Sequence, residues 1–164
     1  MLGRLWRHAW ASLYPARRRL SAADLARIEA EVTRAESTHT GEIRVAVETA
    51  LPLKPLWARV TPRQRALQVF ALLGVWDTAR NNGVLIYVLL ADRSVEIVAD
   101  RAIAERVSEA EWRDLCAAVV RGFQQRQPAE GCCAAVRGVA EHLARHFAAS
   151  GDRGNELPNQ PVLL

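Results

Sequence analysis

The sequence predicts an α/β fold: an α/β/α sandwich whose small mixed sheet joins a βαβ unit to a β-hairpin, with helices flanking it. Three observations carry this. The apolar period is 3.6 along residues 21–37, changes to 2 at 41–48 and returns to 3.6 after Thr61. Residues 84–90 are apolar on both faces, as a central strand covered on both sides requires. A tight turn at Asp92-Arg93 then leads into 94–100, where Val95, Ile97 and Ala99 share a face. At 164 residues, half of them apolar and 24% charged, the chain suits one domain with its own core.

Each element has a local reason. Residues 1–15 place Leu2, Leu5, Trp6, Ala9, Trp10, Leu13 and Tyr14 at helical spacing opposite Arg4, Arg7 and His8, an amphipathic basic helix ending at Pro15. Ser21 opens a second helix, with Asp24 where a capping box usually has Glu or Gln, and Leu25, Ile28 and Val32 on its apolar face. Ile43, Val45 and Val47 alternate with Glu42, Arg44, Ala46 and Glu48, a strand with one wetter face. Pro52 and Pro55 mark 50–60 as a loop, and Thr61, Pro62 and Gln64 start the crossover helix. A strand, a crossover helix and a strand make the first two strands parallel, and the hairpin makes the third antiparallel. Ser108 with Glu111 caps a helix to about Arg126, and Pro128 starts a last helix ending near Ala148. The expected organisation is a basic segment at 1–20, a domain at 21–148 and a Pro/Gly-rich tail at 149–164 that composition predicts to be disordered.

Charge narrows the partners. The net charge is +4, yet residues 1–20 contain five Arg and no acid, leaving 17 basic against 18 acidic residues elsewhere. The domain is near neutral, so nucleic acid is the least favoured partner. A protein partner or a membrane surface, met by Leu2, Leu5, Trp6 and Trp10 with Arg4 and Arg7, fits the first helix better, and a helix folded onto the domain's own core is the competing reading. No run approaches the roughly 20 apolar residues of a membrane span. The first ten residues lack an uninterrupted apolar segment. The compartment expected on these grounds is the cytoplasm, with a peripheral place at the membrane. Cys116, Cys132 and Cys133 fit neither a disulfide framework nor a zinc site and read as small buried apolar groups.

No Walker loop, G-x-G-x-x-G, H-E-x-x-H or G-x-S-x-G occurs. His142 and His146, i and i+4, read as a solvated helix face. Candidate chemistry lies at the sheet ends. One end gathers Asp77, Asn81, Asn82, Asp100 and Arg101, with Glu42 as a further candidate and Trp76 beside them, oxygen donors that suit calcium or magnesium. The other gathers Glu48, Asp92 and Arg93, at the strand carboxyl ends where parallel sheets bind ligands. A strand of seven to nine residues is about 23–30 Å long, so one small-molecule site cannot use both ends. Asn-Gly and Asp-Arg are also ordinary turn pairs that need no ligand.

Residues 41–147 resemble the TPM-domain family, through GEIRVAVE at 41–48, FALLGVWDTARNNGVLIYVLLADRSVEIVADRAI at 70–103 and FQQRQPAEG at 123–131. The resemblance implies an α/β/α sandwich with a small mixed sheet. Relatives include thylakoid proteins described as acid phosphatases, calcium binders and accessory modules. Relatives often carry Asp where Asn81 stands, a second Asp where Ala91 stands, and glycines around Ala99, Asp100 and Arg101. Each lost carboxylate weakens a divalent-cation site. The expectation is a non-catalytic binding or accessory module that takes a divalent cation at Asp77, Asn82 and Asp100, or at Glu48 and Asp92. The alternative is a weak metal-dependent acid phosphatase with Arg101 or Arg93 on phosphate oxygens.

Overall fold

Three helices start with a reciprocal capping box, in which side-chain oxygens satisfy amides that the first turn leaves unbonded. Ser21 Oγ accepts from the Asp24 amide at 3.1 Å while Asp24 Oδ2 accepts from the Ser21 amide at 2.8 Å, so Asp completes the box although its side chain is shorter than Glu. Thr61 with Gln64 and Ser108 with Glu111 form the same reciprocal pairs. The computed structural model describes residues 2–13, 16, 19–149 and 154–164; the side chain of Leu2 and the residues Tyr14, Pro15, Arg17 and Arg18 lie outside the described set.

The elements run α1 (Leu2–Ser12), α2 (Ala22–Glu36), β1 (Glu42–Glu48), α3 (Leu53–Trp57), α4 (Pro62–Leu72), β2 (Gly83–Leu89), β3 (Ser94–Ala99), α5 (Arg101–Ala104), α6 (Glu109–Gln124), α7 (Pro128–His146) and β4 (Val162–Leu163). The sheet order is β3-β2-β1-β4, with β1 parallel to β2 and β2 antiparallel to β3. The expected mixed α/β sandwich is what forms. Strand β2 alternates between two core layers, as its two-sided apolar run requires. Val84, Ile86 and Val88 pack with α2, α6 and α7, while Leu85, Tyr87 and Leu89 pack with α4, Leu51 and Leu56. Gly83 opens β2 because a Cβ there would lie 2.0 Å from the Val75 carbonyl oxygen. Asn81 takes the left-handed φ of +51° just before it, a conformation Asn tolerates better than most residues.

Two short helices escape the sequence reading. In α3, Pro52 sits at the cap and Pro55 within the first turn, where a missing amide costs nothing, so two prolines did not forbid a helix. In α5, Asp100 Oδ1 accepts from the Arg101 amide at 2.7 Å and starts a single turn.

The largest departure is at β1 and the C-terminus. The face expected to be wetter is buried: Glu42, Arg44 and Glu48 are 1%, 6% and 2% exposed. What covers it is the segment predicted to be disordered, of which 154–164 is described. Val162 and Leu163 pair in parallel with Ala46 and Val47, Leu157 is buried in the α4-side core, and Arg44 donates to the carbonyls of Pro158 and Gln160. Composition missed this because the ordering contacts are non-local: polar β1 side chains supply the donors and acceptors that the tail backbone needs.

Candidate functional site: the docked N-terminal helix and the two sheet ends

Helix α1 lies against the body by its basic edge. Arg4 Nε and Nη2 donate to Asp92 Oδ2 at 3.0 and 2.7 Å, and Nη2 also donates to the Val60 carbonyl at 2.9 Å. Arg7 Nη2 lies 3.3 Å from Asp92 Oδ1. His8, only 1% exposed, accepts at Nδ1 from the Leu51 amide at 2.9 Å and places Nε2 3.2 Å from Asp92 Oδ1. Because Nδ1 accepts, the hydrogen of the neutral ring is on Nε2. Burial alone would raise the Asp92 carboxyl, but the hydrogen bonds from Arg4 and the nearby His8 ring outweigh it and hold it below the ordinary carboxylate value. The chain after the helix is also anchored, with Leu20 buried and the Ala16 amide donating to Thr49 Oγ1 at 2.8 Å.

This docking turns the apolar face outward. Trp6, Trp10 and Leu13 are 71%, 61% and 65% exposed, and Leu5 alone among the described apolar residues of α1 packs partly against the core. A cleft lined by Arg4, Leu5, Leu56 and Arg59 joins α1 to α3, which adds the exposed Leu53 and Trp57. The sequence held a signal for this second helix: no Asp or Glu occurs from Thr49 to Trp76, while Lys54, Arg59, Arg63 and Arg65 do.

At the carboxyl end of β1, the two acids weighed as cation donors are engaged by arginine. Glu48 Oε1 accepts from Arg65 Nη2 at 2.8 Å, and Oε2 accepts from Arg65 Nε at 2.9 Å and from the Tyr87 hydroxyl at 2.5 Å. Burial first, then the Glu48 carboxylate, push the Tyr87 hydroxyl far above its usual value. Asp92 is occupied by α1 as described. Arg93, exposed and at a φ of +52°, borders a separate cavity instead.

At the other end, the Asp100 amide donates to the Gly83 carbonyl, so Asn82 and Asp100 lie together. Asn82 is fully buried; its Nδ2 donates to the Thr40 carbonyl at 2.9 Å and its amide to Thr78 Oγ1 at 3.1 Å. Asp100 Oδ1 caps α5, while Oδ2 is buried with no hydrogen-bond partner among the described residues. Asp77 is exposed in the turn after Gly74, and Arg101 and Trp76 are exposed. Calcium takes six to eight oxygens, and this end offers one uncommitted buried carboxylate oxygen, so the set fits a tight divalent site poorly. Among the described residues no group of three or more His, Cys, Asp or Glu is arranged for a metal.

Cys132 and Cys133 are fully buried in the core, and burial pushes the Cys132 thiol up to about 12 and that of Cys116 to about 11. His142 is not on a solvated face. It packs 5.4 Å from the Trp112 ring, and burial lowers its pKa. No helix among the described residues is long and apolar enough to cross a membrane.

Fold and surface together define a helix-covered mixed-sheet module that carries an amphipathic helix on its side. The family model of the TPM domain matches residues 16–142, and the chain belongs to the TPM domain family. Among solved structures it is similar to the BA42 protein from the psychrophilic bacterium Bizionia argentinensis, at 30% identity and a TM-score of 0.76 over 87% of this chain and 94% of that one. The N-terminal domain of the cg2496 protein from Corynebacterium glutamicum shares the fold at 17% identity and a TM-score of 0.53, covering 82% of this chain and 78% of that one. An N-terminal domain of a P. gingivalis protein does so at 18% and 0.55, covering 80% and 83%. No curated protein matches the chain.

Proposed function

We propose that this TPM domain is a non-catalytic accessory module that sits peripherally on an anionic membrane surface through α1, with α3 beside it. The observation that carries the reading is the inverted docking of α1: its basic edge grips Asp92 and its Trp6, Trp10 and Leu13 face is exposed. Two Trp on one short helix, with Leu13 directly after it, suit the headgroup boundary, where an amphipathic ring is half wet and half apolar. The stretches 1–23 and 49–76, which supply α1 and α3, contain basic residues and no acid, which complements anionic lipid. Co-sedimentation of the full chain with vesicles tests it. Phosphatidylglycerol-containing vesicles are expected to pellet the protein, and Trp6→Ser with Trp10→Ser to leave it in solution; a variant that pellets equally well removes the reading. Association with a protein and not with vesicles would move the same face to a protein partner.

A weak divalent-cation site at Asp100, with Asp77 and Asn82, has one observation in its favour, the orphaned Asp100 Oδ2. An NMR titration with calcium and magnesium, alongside p-nitrophenyl phosphate turnover, tests both this site and the phosphatase alternative that would depend on it. Amide shifts around 77–82 and 100 that vanish in Asp100→Asn would support the site; their absence would dismiss it.

A further inference from the structure

A cavity of about 270 Å³ lies at the carboxyl end of β2, between the loop at 90–93 and the last turns of α6. Val88, Leu90, Val120 and Phe123 supply apolar wall, and the two charged groups among its described lining residues are the guanidinium groups of Arg19 and Arg93. No carboxylate is among those lining residues. Neither arginine has an ion-pair or hydrogen-bond partner for its side chain among the described residues, in contrast to Arg4 and Arg65, which close on acids. Arg19 also borders a neighbouring cleft with Asp24 and Glu130 but pairs with neither. Ser94 and Gln124 add neutral polar groups to the lining, and a chamber with one apolar wall and two like-signed donors selects a ligand of complementary build. The volume falls just under the roughly 300–1,000 Å³ of pockets that hold drug-sized ligands, so the ligand is small. Its place, outside the carboxyl end of a parallel strand, is where open α/β sheets bind ligands.

We propose that this cavity is a binding site for a small carboxylate with an apolar body, its body against Val88, Leu90, Val120 and Phe123 and its carboxylate met by Arg19 and Arg93. The site is independent of the membrane reading, which uses α1 and α3. The test is an amide NMR titration of the full chain with phenylacetate, phenylacetamide and inorganic phosphate. Phenylacetate is expected to shift amides at 88–95 and 120–124, while phenylacetamide, matched in shape but uncharged, is expected to leave them nearly unmoved. Arg19→Gln and Arg93→Gln should each weaken phenylacetate binding about tenfold, as loss of one charge-assisted hydrogen bond does. Trp6→Ser with Trp10→Ser should leave it unchanged, which separates this site from the membrane face. Equal shifts from phenylacetamide, shifts mapped to α1, phosphate binding as tightly as phenylacetate, full affinity in both arginine variants, or no shift up to millimolar ligand would each overturn the proposal.

Discussion

Glu48 shows how a residue chosen for one chemistry performs another. Its position at the carboxyl end of a parallel strand is where a ligand-binding carboxylate would stand, yet both oxygens are taken by Arg65 and the Tyr87 hydroxyl. Those partners are 17 and 39 residues away, beyond what local spacing can reveal. Removing one member of a buried pair leaves the other charge desolvated, so Glu48→Gln is expected to cost about 3 kcal/mol. Tyr87→Phe, which deletes one hydrogen bond, should cost about 1 kcal/mol. Urea denaturation of both variants checks the order; a Glu48→Gln no more costly than Tyr87→Phe would mean the pair does not hold α4 to the sheet. Asn82 is a similar case. Asn-Gly was legible as turn chemistry, but the buried amide's bonds to Thr40 and Thr78 tie the start of β2 to the end of β1's lead-in, and no pattern in the sequence announces them.

At the scale of elements, periodicity and caps were enough for the five longer helices and three strands, because those signals are local. Helix α1 was legible as amphipathic, but which face turns inward was not, since that depends on Asp92, 88 residues from Arg4. The Asp92 clip makes the docking acid-sensitive. Its carboxyl is held below the ordinary value near 4, so its contribution to α1 docking is fully present above about pH 4 and is lost as pH falls through the depressed folded value. Protection factors of the α1 amides, taken relative to intrinsic exchange at each pH, should therefore fall on acidification below about pH 4, and Asp92→Asn should lower them at neutral pH; unchanged protection in that variant would show that the clip does not hold the helix. The C-terminal strand is the opposite failure of legibility. Its polar composition concealed a segment ordered by β1's own Glu42 and Arg44, and the buried Leu157 contributes about 2 kcal/mol by itself. Truncation after residue 153 should lower the unfolding free energy by at least about that amount, and equal stability of the truncated chain would make the tail an onlooker.

For the whole molecule, the arrangement of charge is more informative than its total. Four acids of the body, Glu48, Asp92, Glu31 and Glu130, lie within 3.1 Å of an arginine, while α1 and the stretch 49–76 carry basic and apolar residues without acids. The basic N-terminal bias was visible in the sequence, whereas the exposure of Trp6 and Trp10 required knowing that the basic edge faces the body. Single-tryptophan variants retaining Trp6, Trp10 or Trp112 give the most direct test, read as fluorescence quenching by brominated phosphatidylglycerol vesicles. Strong quenching of Trp6 and Trp10 is expected, and little of Trp112, which packs against the α6–α7 core. Unquenched Trp6 and Trp10, or Trp112 quenched equally with them, would contradict it.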